Sequence, residues 1–138
     1  MRVFLDANIL FTAAHNPGGK AAFVIELGGC GHFQLVTSEY AREEAYRNLS
    51  VKYPSCVPNL ETMMRHVAIT LTNPGAPCPA LLVAKDCAIF QAAATCRATH
   101  LLTGDTKHFG HLMNRPDITF SIIVQSVADF LNSLRECI

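Results

Sequence analysis

Four acidic side chains in this sequence stand where they could act together: Asp6, Glu44, Asp86 and Asp105. Asp6 closes a short apolar run at the N-terminus. Asp105 follows Gly104 after a second apolar run, Asp86 opens the alanine-rich segment leading into that run, and Glu44 lies in a glutamate-rich stretch after Thr37-Ser38. Carboxylates gathered within a few ångström repel one another and push some pKa values upward, and a divalent cation removes that penalty. All-oxygen ligation selects hard ions, so Mg²⁺ or Mn²⁺ is expected rather than Zn²⁺. Such ions orient a water, lower its pKa and stabilise charge on a phosphoryl oxygen, which is the chemistry of phosphodiester hydrolysis. Each acid alone has a plainer explanation as a cap or turn former, and Asp86 in particular reads as a helix N-cap.

The elements that must position these acids follow from periodicity. Apolar runs over 1–5, 33–36, 68–71, 99–103 and 119–124 predict five strands. Helices are expected from about residue 9 to 14, from Lys20 to Leu27 with Gly28-Gly29 as its stop, and from an N-cap at Ser38 to about Leu49. Pro54 and Pro58 mark the next break. Further helices are expected over 60–67, 87–96 and 125–135, with Lys85-Asp86 as a boundary. Alternating strands and helices predict an α/β fold, a three-layer α/β/α sandwich around a parallel sheet of about five strands. Chemistry in such a sheet sits beyond the carboxyl ends of the strands, near the switch point of strand order. Asp6 and Asp105 are expected there.

The chain has 138 residues, the size of one domain, with no repeats or linker to divide it. Half of the residues are apolar and 16% are charged, which suits strands buried on both faces and leaves apolar surface for an oligomer contact. No apolar run approaches the roughly 20 residues of a membrane span, and the N-terminal run is shorter than the roughly 7–15 of a secretory signal, so a cytoplasmic protein is expected. Six cysteines, at 30, 56, 78, 87, 96 and 137, form no C-x-x-C pair and are read as reduced, mostly buried thiols. Eleven basic residues balance eleven acidic ones, so any grip on nucleic acid is expected to be local.

The segments V-F-L-D-A-N-I-L at 3–10, E-A-Y-R-N-L at 44–49, K-D-C-A-I-F-Q-A-A-A at 85–94 and H-L-L-T-G-D-T-K-H-F at 100–109 resemble, in order and spacing, the pattern of the PIN-domain family. The resemblance implies a magnesium- or manganese-dependent nuclease with one or two ions held by Asp6, Glu44, Asp86 and Asp105. Glu43 is the alternative to Glu44, since a helix turns about 100° per residue and only one can face the site squarely. Glu44 matches the family's spacing to Arg47 and Leu49. Asn8 and Thr103 match polar positions that hold carboxylates or water in place, although Asn8 also reads as an N-cap and Thr103 as a strand hydroxyl bonded to backbone. Arg47, Lys107 and His108 are candidate phosphate contacts, with Lys20, Arg97 and Arg115 at the rim. Stand-alone domains of this size resemble the toxin half of bacterial toxin–antitoxin pairs, the VapC type. That likeness implies an RNA substrate, a small antitoxin protein and a homodimer, with no membrane.

Two other readings compete. An aspartate-nucleophile phosphohydrolase would use Asp6, but its motif wants a second Asp where Asn8 stands. A non-catalytic PIN-like module binding RNA or protein would retain the fold without hydrolysis. Cys30-Gly31-His32 has no second pair at zinc-finger spacing, and Asn16 to Lys20 lacks the phosphate-loop spacing.

Overall fold

The computed structural model describes residues 1–136. Five strands, β1 (Arg2–Leu5), β2 (Gln34–Ser38), β3 (Val67–Thr70), β4 (His100–Leu102) and β5 (Ile123–Gln125), form one sheet in the order β3-β2-β1-β4-β5. Every neighbouring pair is parallel. The helices are α1 (Ala7–His15), α2 (Lys20–Gly29), α3 (Glu39–Lys52), α4 (Val57–Met63), α5 (Ala84–Thr95), α6 (Thr106–Phe109) and α7 (Val127–Glu136). The three-layer α/β/α sandwich is as the sequence implies.

Strand alternation divides the core into two halves. Val3, Leu5, Leu35 and Leu102 join Leu10, Val24, Leu49, Leu60 and Phe130 on one face. Phe4, Val36, Leu101 and Val124 join Ile89, Phe90 and Phe109 on the other. Helix α2 lies close enough to the sheet that a Cβ on Gly28 would meet the Leu35 side chain at 2.4 Å, so glycine is required there for packing. The direction in which strands are added reverses between β1 and β4: β2 and β3 extend to one side of β1, and β5 to the other side of β4. That crevice is the switch point.

Several boundaries differ from expectation, each for a local reason. Pro58 does not break a helix but lies in the first turn of α4, where a missing N–H costs nothing. Residues 119–122 form a turn rather than the start of β5, with Phe120 and Ser121 at φ +53° and +68°; the Thr119 hydroxyl donates to the Ile122 carbonyl at 2.6 Å. Helix α5 begins at Ala84, capped at Val83 without a side-chain hydrogen bond, so Asp86 is not an N-cap. Asn8 is not one either, because Asp6 caps α1. Cys78 and Cys87 form a disulfide with Cα atoms 5.7 Å apart, which corrects the expectation of reduced thiols at that pair. Cys30, Cys56 and Cys96 are free, none of them fully buried, and Cys137 lies outside the described residues.

Candidate active site

At the switch point the backbone of Asp6 donates to the Leu102 carbonyl at 3.1 Å, continuing the β1–β4 ladder to the edge of the crevice. The Asp6 side chain then turns to cap α1, accepting from the Ala7 N–H at 2.7 Å. Its second oxygen accepts from the Thr103 hydroxyl at 2.8 Å and from Asn8 Nδ2 at 3.2 Å. The Thr103 oxygen in turn accepts from the Asp105 N–H at 3.1 Å, and Asn8 Oδ1 accepts from the Gly104 N–H at 2.7 Å. Asn8 and Thr103 therefore tie the end of β1 to the turn after β4. Thr103 does this with its side-chain oxygen, which bonds both to the Asp6 carboxylate and to the backbone N–H of Asp105.

Asp86 arrives from the opposite layer. The buried stripe of α5 runs Asp86, Ile89, Phe90, Ala93, at helical i, i+3, i+4, i+7 spacing. An acid at the head of an apolar stripe is carried into the protein with it, and Asp86 is only 5% exposed. Glu44 flanks the Ala41, Ala45, Leu49 stripe of α3 and is half-buried, whereas Glu43 is exposed. Glu44 Oε1 lies 2.5 Å from Lys85 Nζ, and that pairing raises the Lys85 pKa.

Asp105 caps α6, its Oδ1 accepting from the His108 N–H at 3.1 Å. His108, three residues on, folds its ring back over the cap: Nδ1 is 2.8 Å from Asp105 Oδ2 and 3.1 Å from Asp86 Oδ2. A single Nδ1 proton serves one of them. It is aligned with Asp105, so Asp86 Oδ2 is buried without a hydrogen bond. Asp86, Asp105 and His108 offer ligand atoms all within 4.8 Å of one another, and Asp6 and Glu44 stand outside this tight set.

Burial raises the Asp6 pKa above the ordinary carboxylate range; bonds from Thr103 and Ala7 oppose the rise, and Glu44 and Asp86 add repulsion. Burial also raises that of Asp86, with His108 and Lys85 lowering it and Asp105 and Glu44 raising it. Two acids held above their ordinary range, one with an orphaned oxygen, fit a hard divalent cation.

The candidate phosphate contacts are scattered. Arg47 and Lys107 are exposed and make no ion pair among the described residues. Lys20 lines a cleft of about 770 Å³ that also takes in Asn8, Thr103 and Asp105. Arg97 lies instead in a groove at the amino ends of the strands, with Arg2, Arg65 and His66, and Arg115 pairs with Asp117 at 3.1 Å. Sequence reasoning missed Lys85 as a partner of Glu44. It also gave His108 to substrate rather than to the acids, though the D-x-x-H spacing of an N-cap and its third helical position brings such side chains together.

A family model described as PIN domain matches residues 2–107, and the chain belongs to the PIN-domain family. Among solved structures, the chain is similar to VapBC2 from Rickettsia felis, a complex bound to a DNA fragment from its promoter. The TM-score is 0.65 at 16% identity, over 91% of this chain and 98% of the other. It is also similar to VapBC-1 from nontypeable Haemophilus influenzae, with TM-score 0.59 and 17% identity over 93% and 99% of the two chains. No curated protein matches the sequence. Among the described residues no helix is long and apolar enough to cross a membrane.

Proposed function

We propose that the protein is a metal-dependent endoribonuclease, with Asp6, Glu44, Asp86 and Asp105 as its acidic centre. The observation that carries this reading is the buried Asp86 carboxylate, whose Oδ2 faces Asp105 and His108 without a hydrogen bond. A buried unpaired carboxylate oxygen is costly, and a cation there offsets the cost. Asp86 and Asp105 would hold one or two Mg²⁺ or Mn²⁺ ions, with Asp6 and Glu44 completing the acidic surround. A divalent ion held by these residues would supply polarisation of the phosphodiester and of the attacking water.

The chain's own groups do the rest. Thr103 and Asn8 fix Asp6 in one rotamer, so it presents a set geometry to whatever enters the crevice. Asp6 is engaged at both oxygens by three donors, which disfavours its use as a covalent nucleophile. Lys20, in the cleft that also takes in Asp105, would bind the RNA backbone, and exposed Arg47 and Lys107 offer further phosphate contacts. With zero net charge, this grip is local.

The similarity in fold to VapBC complexes supports the toxin half of a toxin–antitoxin pair. A small antitoxin would then cover the crevice, and a homodimer would use part of the exposed apolar surface. The test is cleavage of single-stranded and structured RNA by metal-stripped protein. Adding Mn²⁺ or Mg²⁺ should restore cutting to the wild type and not to Asp105→Asn; cleavage undiminished by chelation would refute the reading.

A further inference from the structure

We infer that His108 is itself a ligand of the metal centre, making it a mixed nitrogen–oxygen site that prefers Mn²⁺ to Mg²⁺. This rests on the metal-dependent reading above and sharpens it. His108 Nδ1 lies 2.8 Å from Asp105 Oδ2 and 3.1 Å from Asp86 Oδ2. Adjacent corners of an octahedron with metal–ligand bonds near 2.1 Å are about 3.0 Å apart, so His108 Nδ1 already stands from each carboxylate oxygen at the spacing of neighbouring ligands on one ion, and the three ligand atoms all lie within 4.8 Å of one another.

Hydrogen bonding alone explains this cluster poorly. One Nδ1 proton satisfies Asp105 and leaves the Asp86 oxygen, on a residue 5% exposed, with no donor. A cation between the three groups satisfies both carboxylates and the ring nitrogen at once, with the ring proton on Nε2. That edge of the ring belongs to a residue whose side chain is 44% exposed, so water can take the Nε2 bond. Position favours permanence as well: His108 is fixed by its backbone N–H to Asp105 Oδ1 at 3.1 Å, in the short helix that Asp105 caps.

The consequence is selectivity. Mg²⁺ favours oxygen and keeps its waters, so a nitrogen ligand is a poorer partner for it than for Mn²⁺, a first-row transition ion. Removing a nitrogen ligand should therefore cost Mn²⁺ more than Mg²⁺. If His108 were only a positive counter-charge displaced by the ion, its removal would strengthen binding of both.

Calorimetric titration of Mn²⁺ and of Mg²⁺ into wild type, His108→Ala and His108→Asp decides between these signs. Mn²⁺ affinity should fall at least about tenfold in His108→Ala, with Mg²⁺ changing less than about threefold. His108→Asp, with an oxygen donor in place of the nitrogen, should bind Mg²⁺ at least as well as wild type and show a lower Mn²⁺/Mg²⁺ affinity ratio. In protein labelled with ¹⁵N-histidine, the Mn²⁺ resonance should carry a nitrogen coupling that His108→Ala abolishes. Unchanged or tighter Mn²⁺ binding in His108→Ala overturns the ligand role and leaves the acidic centre standing. Absence of binding in the wild type overturns both.

Discussion

The Thr103 hydroxyl donates to Asp6 Oδ2 at 2.8 Å while accepting from the Asp105 N–H at 3.1 Å. One oxygen thus links the acids that end two neighbouring strands. Thr103→Val keeps the shape and removes both bonds, leaving a buried carboxylate short of a donor and an amide short of an acceptor. We expect a loss of about 1–3 kcal/mol in urea unfolding, with Thr103→Ser recovering most of it.

The raised pKa values of Asp6 and Asp86 set a pH dependence for the metal-free protein. A carboxyl raised on folding binds its proton more tightly in the native state. The contribution of these two groups to stability is therefore greatest below the ordinary carboxylate range and falls as pH rises from there through the raised native values. Urea midpoints measured across this range without metal should decline, and saturating Mn²⁺ should restore the neutral-pH midpoint. Asp86→Asn should flatten the decline and be at least as stable as wild type at neutral pH without metal.

Lys85 and His108 both face the acids, but they should respond oppositely to removal. Lys85 Nζ neutralises Glu44 from a partly exposed position. Lys85→Met removes a positive charge beside the cation site and should tighten Mn²⁺ binding by roughly 2–10-fold at low salt, less at high salt. Titrations at two ionic strengths check both the sign and the screening. The stability cost should be under about 1 kcal/mol, as for other exposed pairs.

Much of this site can be read from sequence because strand ends and helix starts are local features. Asp6 and Asp105 follow apolar runs, and their meeting at the switch point needs only the parallel topology. The distinction between Glu44 and Glu43 follows from the alanine stripe of α3, once burial shows which face is covered. What stayed hidden depends on side chains crossing between elements. Nothing local tells that Lys85 reaches α3, or that His108 turns back to Asp86 on another helix. The Cys78–Cys87 disulfide was obscured in the same way, because it joins a proline-rich loop to α5 without any C-x-x-C spacing.

The end of α5 offers a prediction independent of the site. Arg97 stands at φ +56° just past the helix, with the Ala98 N–H bonded to the Ala93 carbonyl at 2.9 Å and the Arg97 N–H to Ala94 at 3.0 Å. This closing turn favours glycine. Arg97 is exposed and far from the acids, so Arg97→Gly should raise stability by about 0.5–1 kcal/mol without changing Mn²⁺ affinity. Thermal denaturation and calorimetry together check it.

The most direct test of the acidic centre is RNA cleavage by the Asp6→Asn/Asp105→Asn double variant beside the wild type, both with Mn²⁺ supplied. Cutting should disappear in the double variant while it remains folded. Equal cleavage by the two proteins would contradict the assignment of these acids to catalysis.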